Sequence, residues 1–205
     1  MSPSPLRLGI LASHAGTTMQ AVIDGCASGA INAEISLVIS NNSSSQALAR
    51  AKRAGLTTAH LSKKIHANDQ ELDSAILAAL TEAQVDLVLL CGYMKKLGRP
   101  TLDHFRGRLL NTHPSLLPKY GGQGYYGRKV HDAVIAAGDS ASGVTLHQVA
   151  EGYDTGEIIE QQRVPVLPTD SAADLQERVK KAEQKLLVKE LARMASEHLR
   201  QTETS

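Results

Sequence analysis

An asparagine, a histidine and an aspartate carry the chemistry this sequence is equipped to do. In Leu109-Leu110-Asn111-Thr112-His113-Pro114, an extended chain puts Asn111 and His113 on one face and turns Thr112 to the other, because side chains alternate along a strand. Pro114 removes a ladder donor and biases His113 away from helix, so the strand ends there and the chain turns outward. In open parallel α/β sheets that carboxyl edge is where ligands bind. An amide is a neutral donor for a developing oxyanion, and an imidazole titrates near neutrality. A carboxylate beside the imidazole would tune it. Asp154, in the glycine-flanked turn Gly152-Tyr153-Asp154-Thr155-Gly156, is the candidate, with a plain Asx-turn aspartate as the open alternative. Thr145 and His147 share a strand face and either support the same cavity or pack on a helix. With no nucleophile elbow, CxxC or HExxH in the sequence, neither a covalent serine or cysteine mechanism nor a metal site has support. Attack on a carbonyl by an amine or by water remains.

Two further groups point to a ligand. Ser13-His14-Ala15-Gly16-Thr17-Thr18 follows an apolar run and opens a helix, where backbone N–H groups and the helix dipole suit a phosphate. It lacks G-x-G-x-x-G and the Lys-Ser/Thr of a P-loop, and a Ser/Thr-rich helix cap is the plainer alternative. Glu183 lies four residues after Val179 and so near a buried stripe, which fits a polar ligand or a helix-edge salt bridge.

The elements that must position these groups alternate. Residues 6–12 read as a strand, and Met19, Val22 and Ile23 recur at helical spacing until Gly25 and Gly29 close the helix. Ile35–Ile39 reads as a strand, Gln46–Ala54 as a helix stopped by Gly55, and Thr57–Leu61 as a short strand. Asn68-Asp69 caps a helix with Leu72, Ile76, Leu77 and Leu80 on one stripe. Val85–Cys91 is apolar throughout, as a strand covered on both faces should be. A short helix at Pro100 precedes the strand holding Asn111, and the glycine-rich 121–127 loop, expected to be mobile, precedes a helix over 130–137. Gly143–Val149 and Glu157–Val164 have no long helix between them, which predicts an antiparallel or mixed pair. Thr169-Asp170-Ser171 caps a last helix whose stripe is Leu175, Val179, Ala182, Leu186 and Leu187, with fraying expected from Gln201. The predicted class is doubly wound α/β with a mostly parallel sheet and a C-terminal helix.

Composition narrows the partners. The 205 residues, 42% hydrophobic and 21% charged, suit a single domain with a sizeable core over 1–205. A net charge of +1 gives no electrostatic reason for nucleic acid or membrane binding, so small-molecule substrates are expected. Cys26 and Cys91 are too few for a disulfide framework, and no signal segment or membrane span is expected, so the chain reads as cytoplasmic. A monomer and a homodimer both fit.

Asn111-Thr-His113-Pro114-Ser115-Leu-Leu-Pro118-Lys119-Tyr120, then His147 and Asp154, resembles the formyltransferase family that uses 10-formyltetrahydrofolate. The similarity extends through Cys91-Gly92-Tyr93-Met94 and Ala182-Glu183 and is nearest to the branch that acts in purine synthesis. It implies a Rossmann-like formyltransferase fold and a catalytic set of Asn111, His113 and Asp154. It also implies that Met94, Leu97 and the Ala150–Asp154 loop border the folate, and that Gly16, Thr17, Thr18 and Glu183 hold the ribonucleotide. On that reading the N-terminal half binds phosphate and the C-terminal half supplies folate binding and catalysis. The implied activity is transfer of a formyl group from 10-formyltetrahydrofolate, as cosubstrate without a metal, to the amine of glycinamide ribonucleotide. The family's first loop usually reads Ser-Gly-Asn-Gly-Ser/Thr-Asn, and two asparagines and a glycine are absent here. An amino sugar as acceptor, or water in a formyltetrahydrofolate hydrolase, stays open.

Overall fold

The computed structural model describes residues 4–203, and Met1–Pro3, Thr204 and Ser205 lie outside the described residues. They form two compact units, one running to Leu109 and resuming at Val188, the other spanning Leu110–Leu187.

The first unit holds β1 (Leu6–Ala12), α1 (Thr17–Ala27), β2 (Ala33–Ser40), α2 (Gln46–Arg53), β3 (Thr58–His60), α3 (Asp69–Glu82), β4 (Leu87–Leu90) and α4 (Arg99–His104). Its strands run in the order β3-β2-β1-β4, and every pair is parallel. Leu8, Ile10, Leu11, Ile39 and Val88 are buried, as strands covered by helices on both faces require. Ser45 caps α2 by accepting from the Leu48 N–H, and Asn68 caps α3 by accepting from the Glu71 N–H. The Asn68 cap stands where the sequence placed it. Gly25 does not close α1. The helix runs through it, because a Cβ there would stand 2.7 Å from Ile31 Cδ1, and the left-handed turn comes at Gly29, φ +76°.

The second unit holds β5 (Leu109–His113), α5 (Arg128–Ala136), β6 (Ala141–Gln148), β7 (Ile158–Pro165) and the start of α6 (Ala172–Glu203). β6 pairs antiparallel with β7, in line with the missing crossover helix, and β5 also pairs antiparallel with β6. Three parallel pairs against two antiparallel ones make the α/β fold mostly parallel. Boundaries move by one to two residues. Residues 85, 86 and 91 fall outside β4, β6 starts at Ala141, and α5 starts at Arg128. Ser171 Oγ accepts from the Asp174 N–H while Asp174 Oδ2 accepts from the Ser171 N–H, a reciprocal cap for α6. The stripe Leu175, Val179, Ala182, Leu186 and Leu187 is buried. Helix persists through Gln201 to Glu203, so the expected fraying does not begin there. Among the described residues, no helix is long and apolar enough to cross a membrane.

Candidate active site

In the second unit the strand alternation works as the spacing requires. Thr112 Oγ1 donates to Glu183 Oε1 on one side of β5. On the other side, His113 Nδ1 lies 3.3 Å from Asp154 Oδ2, and Asn111 Nδ2 lies 3.2 Å from His147 Nε2. The three expected catalytic groups therefore converge. Glu183 meets the opposite face from Asn111 and His113.

His147 is more than the supporting residue the sequence suggested. Its Nδ1 donates to the Gln148 carbonyl at 2.8 Å, and a carbonyl there requires N–H on that nitrogen. With the ring neutral, Nε2 accepts one Asn111 amide hydrogen, which fixes the amide and leaves its second hydrogen for another acceptor. His147 Nε2 also stands 3.6 Å from Asp154 Oδ1. The carbonyl is in place because the 149–157 loop folds tightly against the end of β6: a Cβ at Gly156 would collide with it.

The Pro114–Gly122 turn supplies two contacts that sequence reasoning missed. The Tyr120 carbonyl lies 2.7 Å from His113 Nε2, and the Gly122 N–H donates to Asp154 Oδ2 at 3.0 Å. His113 thus has an acceptor at each ring nitrogen. Either neutral tautomer leaves one nitrogen lone pair facing an oxygen, and only the imidazolium satisfies both. Burial opposes this. It pushes His113 down, Asp154 and the Tyr120 carbonyl raise it, His147 lowers it, and the balance lies below histidine's ordinary 6.5. Burial likewise raises the Asp154 carboxyl, but His147, His113 and the Gly122 N–H outweigh it and hold the group below the ordinary carboxylate range. The resting pair is a carboxylate beside a largely neutral imidazole built to accept a proton.

Asp154 sits at φ +57°, a left-handed conformation that costs a side-chain-bearing residue on the order of 1 kcal/mol. Gly121 allows the turn to reach it: a Cβ there would stand 2.5 Å from Leu117 Cδ2 and 3.5 Å from Asp154 Cβ.

The other expected ligand residues lie in the first unit. Gly16 is the N-cap of α1 at φ +65°, so the cap residue itself has no side chain to offer that helix start. A Cβ on Gly16 would stand 2.9 Å from Ala47 Cα. The loop is braced from elsewhere: Arg50 Nε donates to the Ala15 carbonyl at 2.9 Å, and Ser13 Oγ donates to Asn41 Oδ1 at 2.6 Å. Thr17 and Thr18 open α1 behind it. Ser13 Oγ also accepts from the Met94 N–H at 2.8 Å, so this loop is tied to the one leaving β4. Met94 is 42% exposed and Leu97 is 8%, which gives Met94 the larger free apolar surface. Asp73 accepts from the Gly98 and Thr101 N–H groups and anchors the far end of that loop. Burial, then Asp73, pushes Tyr93 up to about 12. Among the described residues, no cluster of His, Cys, Asp and Glu is arranged to hold a metal.

Parallel strands in one unit, three antiparallel strands in the other, and an amide, an imidazole and a carboxylate gathered at the end of β5 are the parts of an α/β enzyme. Residues 6–191 match the formyl transferase family, and the chain belongs to it. It is 42% identical over 177 residues to the phosphoribosylglycinamide formyltransferase of Haemophilus influenzae, covering 86% of this chain and 81% of that one. It is 40% identical over 190 residues to the human trifunctional purine biosynthetic protein adenosine-3, covering 93% of this chain but only 18% of that much longer one. The crystal structure of glycinamide ribonucleotide transformylase 1 from Symbiobacterium toebii superposes with a TM-score of 0.88 at 35% identity, covering 94% of this chain and 89% of that one.

Proposed function

We propose that this chain transfers the formyl group of 10-formyltetrahydrofolate to the amine of glycinamide ribonucleotide, the role for which its bacterial relative is named. The observation that carries the reading is His113 Nδ1 at 3.3 Å from Asp154 Oδ2, beside an Asn111 amide already oriented by His147. Asn111 donates to the formyl oxygen as negative charge collects there during attack by the amine nitrogen. The proton the amine releases passes through water and Asp154 to His113, and Asp154 with the Tyr120 carbonyl holds the imidazolium so formed. Returning that proton to the departing folate nitrogen breaks the carbon–nitrogen bond and leaves tetrahydrofolate and the formamide.

The remaining assignments complete this reading. The backbone at Gly16, Thr17 and Thr18 holds the phosphate, and the support is a helix start whose cap residue is a glycine in a conformation another residue would strain. Glu183 binds the ribonucleotide, and Met94 and Leu97, with the 150–154 loop, border the folate. The reaction needs small molecules alone and belongs to the cytoplasm, in keeping with free thiols at Cys26 and Cys91. The departures in the first loop favour a second reading, in which an amino sugar supplies the amine. A spectrophotometric assay of tetrahydrofolate formation separates them. Turnover that depends on glycinamide ribonucleotide supports the first, turnover only with amino sugar nucleotides moves the acceptor, and acceptor-independent turnover makes the protein a hydrolase.

A further inference from the structure

The two acceptors facing His113 are not equivalent. Asp154 is a side chain, whereas the Tyr120 oxygen belongs to a peptide at the far end of a turn and stays on Nε2 only while that turn keeps its shape. Tyr120 sits at φ +57°, so its peptide is held in a conformation its own side chain disfavours.

Gln161 of β7 is the residue that reaches into the turn. Its Nε2 donates to the Leu117 carbonyl at 3.1 Å and to Thr145 Oγ1 at 2.8 Å, using both amide hydrogens. Thr145, fully buried, donates in turn to the Ser115 carbonyl at 2.7 Å and accepts from the Leu117 N–H at 3.0 Å. One hydroxyl hydrogen and two lone pairs are thereby all engaged. From there Ser115 Oγ donates to the Lys119 carbonyl at 2.6 Å, and the next carbonyl along the chain is the one on His113. We propose that Gln161 is a positioning residue for the reaction: it holds the Ser115–Pro118 turn so that the Tyr120 carbonyl stays on His113 Nε2 and favours protonation of the ring.

This rests on His113 being the proton acceptor. The charged and titratable groups around that ring are Asp154 from the 149–157 loop, His147 from β6 and, on α5, His131, whose own charge His113 disfavours. None of these shares a hydrogen bond with Gln161. Losing the Gln161 amide strips one donor each from Leu117 and Thr145, and a half-satisfied buried network relaxes. The Asp154 contact is left alone.

The test compares Gln161→Leu and the nearly isosteric Gln161→Glu, whose carboxylate cannot donate, with Gln162→Leu next to it as control. His113 is titrated by NMR, assigned through its absence in His113→Gln, and kcat and KM are followed against pH. The account expects His113 to titrate lower by about half a pH unit or more in both Gln161 variants, because an acceptor of its proton has been weakened. It expects kcat to fall by about tenfold with KM changed by less than about twofold, and Gln162→Leu to match wild type. Wild-type His113 titration in a folded Gln161→Glu protein would overturn it, as would equal losses in all three variants. The near-isosteric variant keeps the test decisive should Gln161→Leu not fold. The titration needs no acceptor, so it stays informative if the acceptor proves not to be glycinamide ribonucleotide.

Discussion

The catalytic cluster and the first loop are built in opposite ways. The cluster is made of side chains, Asn111, His113, His147 and Asp154, each set by strand alternation or a tight turn and each touching another. The 13–18 loop is made of backbone: Gly16 in a left-handed conformation, with Arg50 and Asn41 bracing it from outside. Chemistry that moves a proton needs particular functional groups at particular distances. Holding a phosphate needs oriented N–H groups that any sequence can supply if its backbone takes the shape. The first loop can therefore depart from the family's usual residues and keep its geometry, whereas the cluster has no such freedom.

That contrast can be broken most forcefully at His113. His113→Gln should lower kcat by about 10³-fold, within the range of general acid–base effects. Adding Asp154→Asn should cost little more, since the two act as one unit. A double variant far slower than either single one would show that they act separately. Gly16→Ala strains a positive-φ position and presses on Ala47. It should raise KM for the ribonucleotide about tenfold with kcat within about twofold, the cost of 1–2 kcal/mol in that conformation. A fall in kcat instead would deny the loop a purely binding role. Arg50→Met removes the brace on the Ala15 carbonyl and should raise the same KM by about threefold, roughly the value of one hydrogen bond.

The pH profile sharpens the comparison further. His113 lies below 6.5, and in the mechanism proposed above it ends up with the proton, so the form that starts the reaction is the neutral one. Activity should rise with pH through an ionisation below 6.5, and a plateau extending unchanged to lower pH would place the proton elsewhere. The smallest effect lies away from both regions. Hydrogen bonds from Arg178 and from the Leu167 N–H hold Asp170 down to about 2. A carboxyl depressed in the folded state contributes stability above its unfolded value of 3.8 and loses it as pH falls toward 2. Asp170→Asn should thus lower Tm slightly near neutrality and flatten its fall below pH 4, as thermal melts across pH would record.

What could be read from the sequence followed from periodicity and local signals. Alternation placed Asn111 and His113 together with Thr112 opposite, Asn68 announced a helix start, and the missing helix between residues 149 and 157 announced an antiparallel or mixed pair. Gly25 was misjudged because a glycine needed for packing on Ile31 looks the same as one that ends a helix. The Tyr120 carbonyl, the Gly122 N–H and the Gln148 carbonyl were invisible because every residue carries such groups and only the fold aims them. Gln161 meets its partners across 16 and 44 positions of chain, a separation with no period to betray it. His147 was placed on the right face, but its grip on Asn111 depends on a tautomer set by a neighbouring carbonyl.

The most direct test of the central claim is Asn111→Ala, assayed for tetrahydrofolate formation with glycinamide ribonucleotide and, in parallel, for folate binding by fluorescence titration. Removing one oxyanion donor should lower kcat by about 10² to 10³-fold while folate affinity stays within about twofold. Turnover unchanged in that variant would contradict the account, because the amide that His147 orients would then have no part in the reaction.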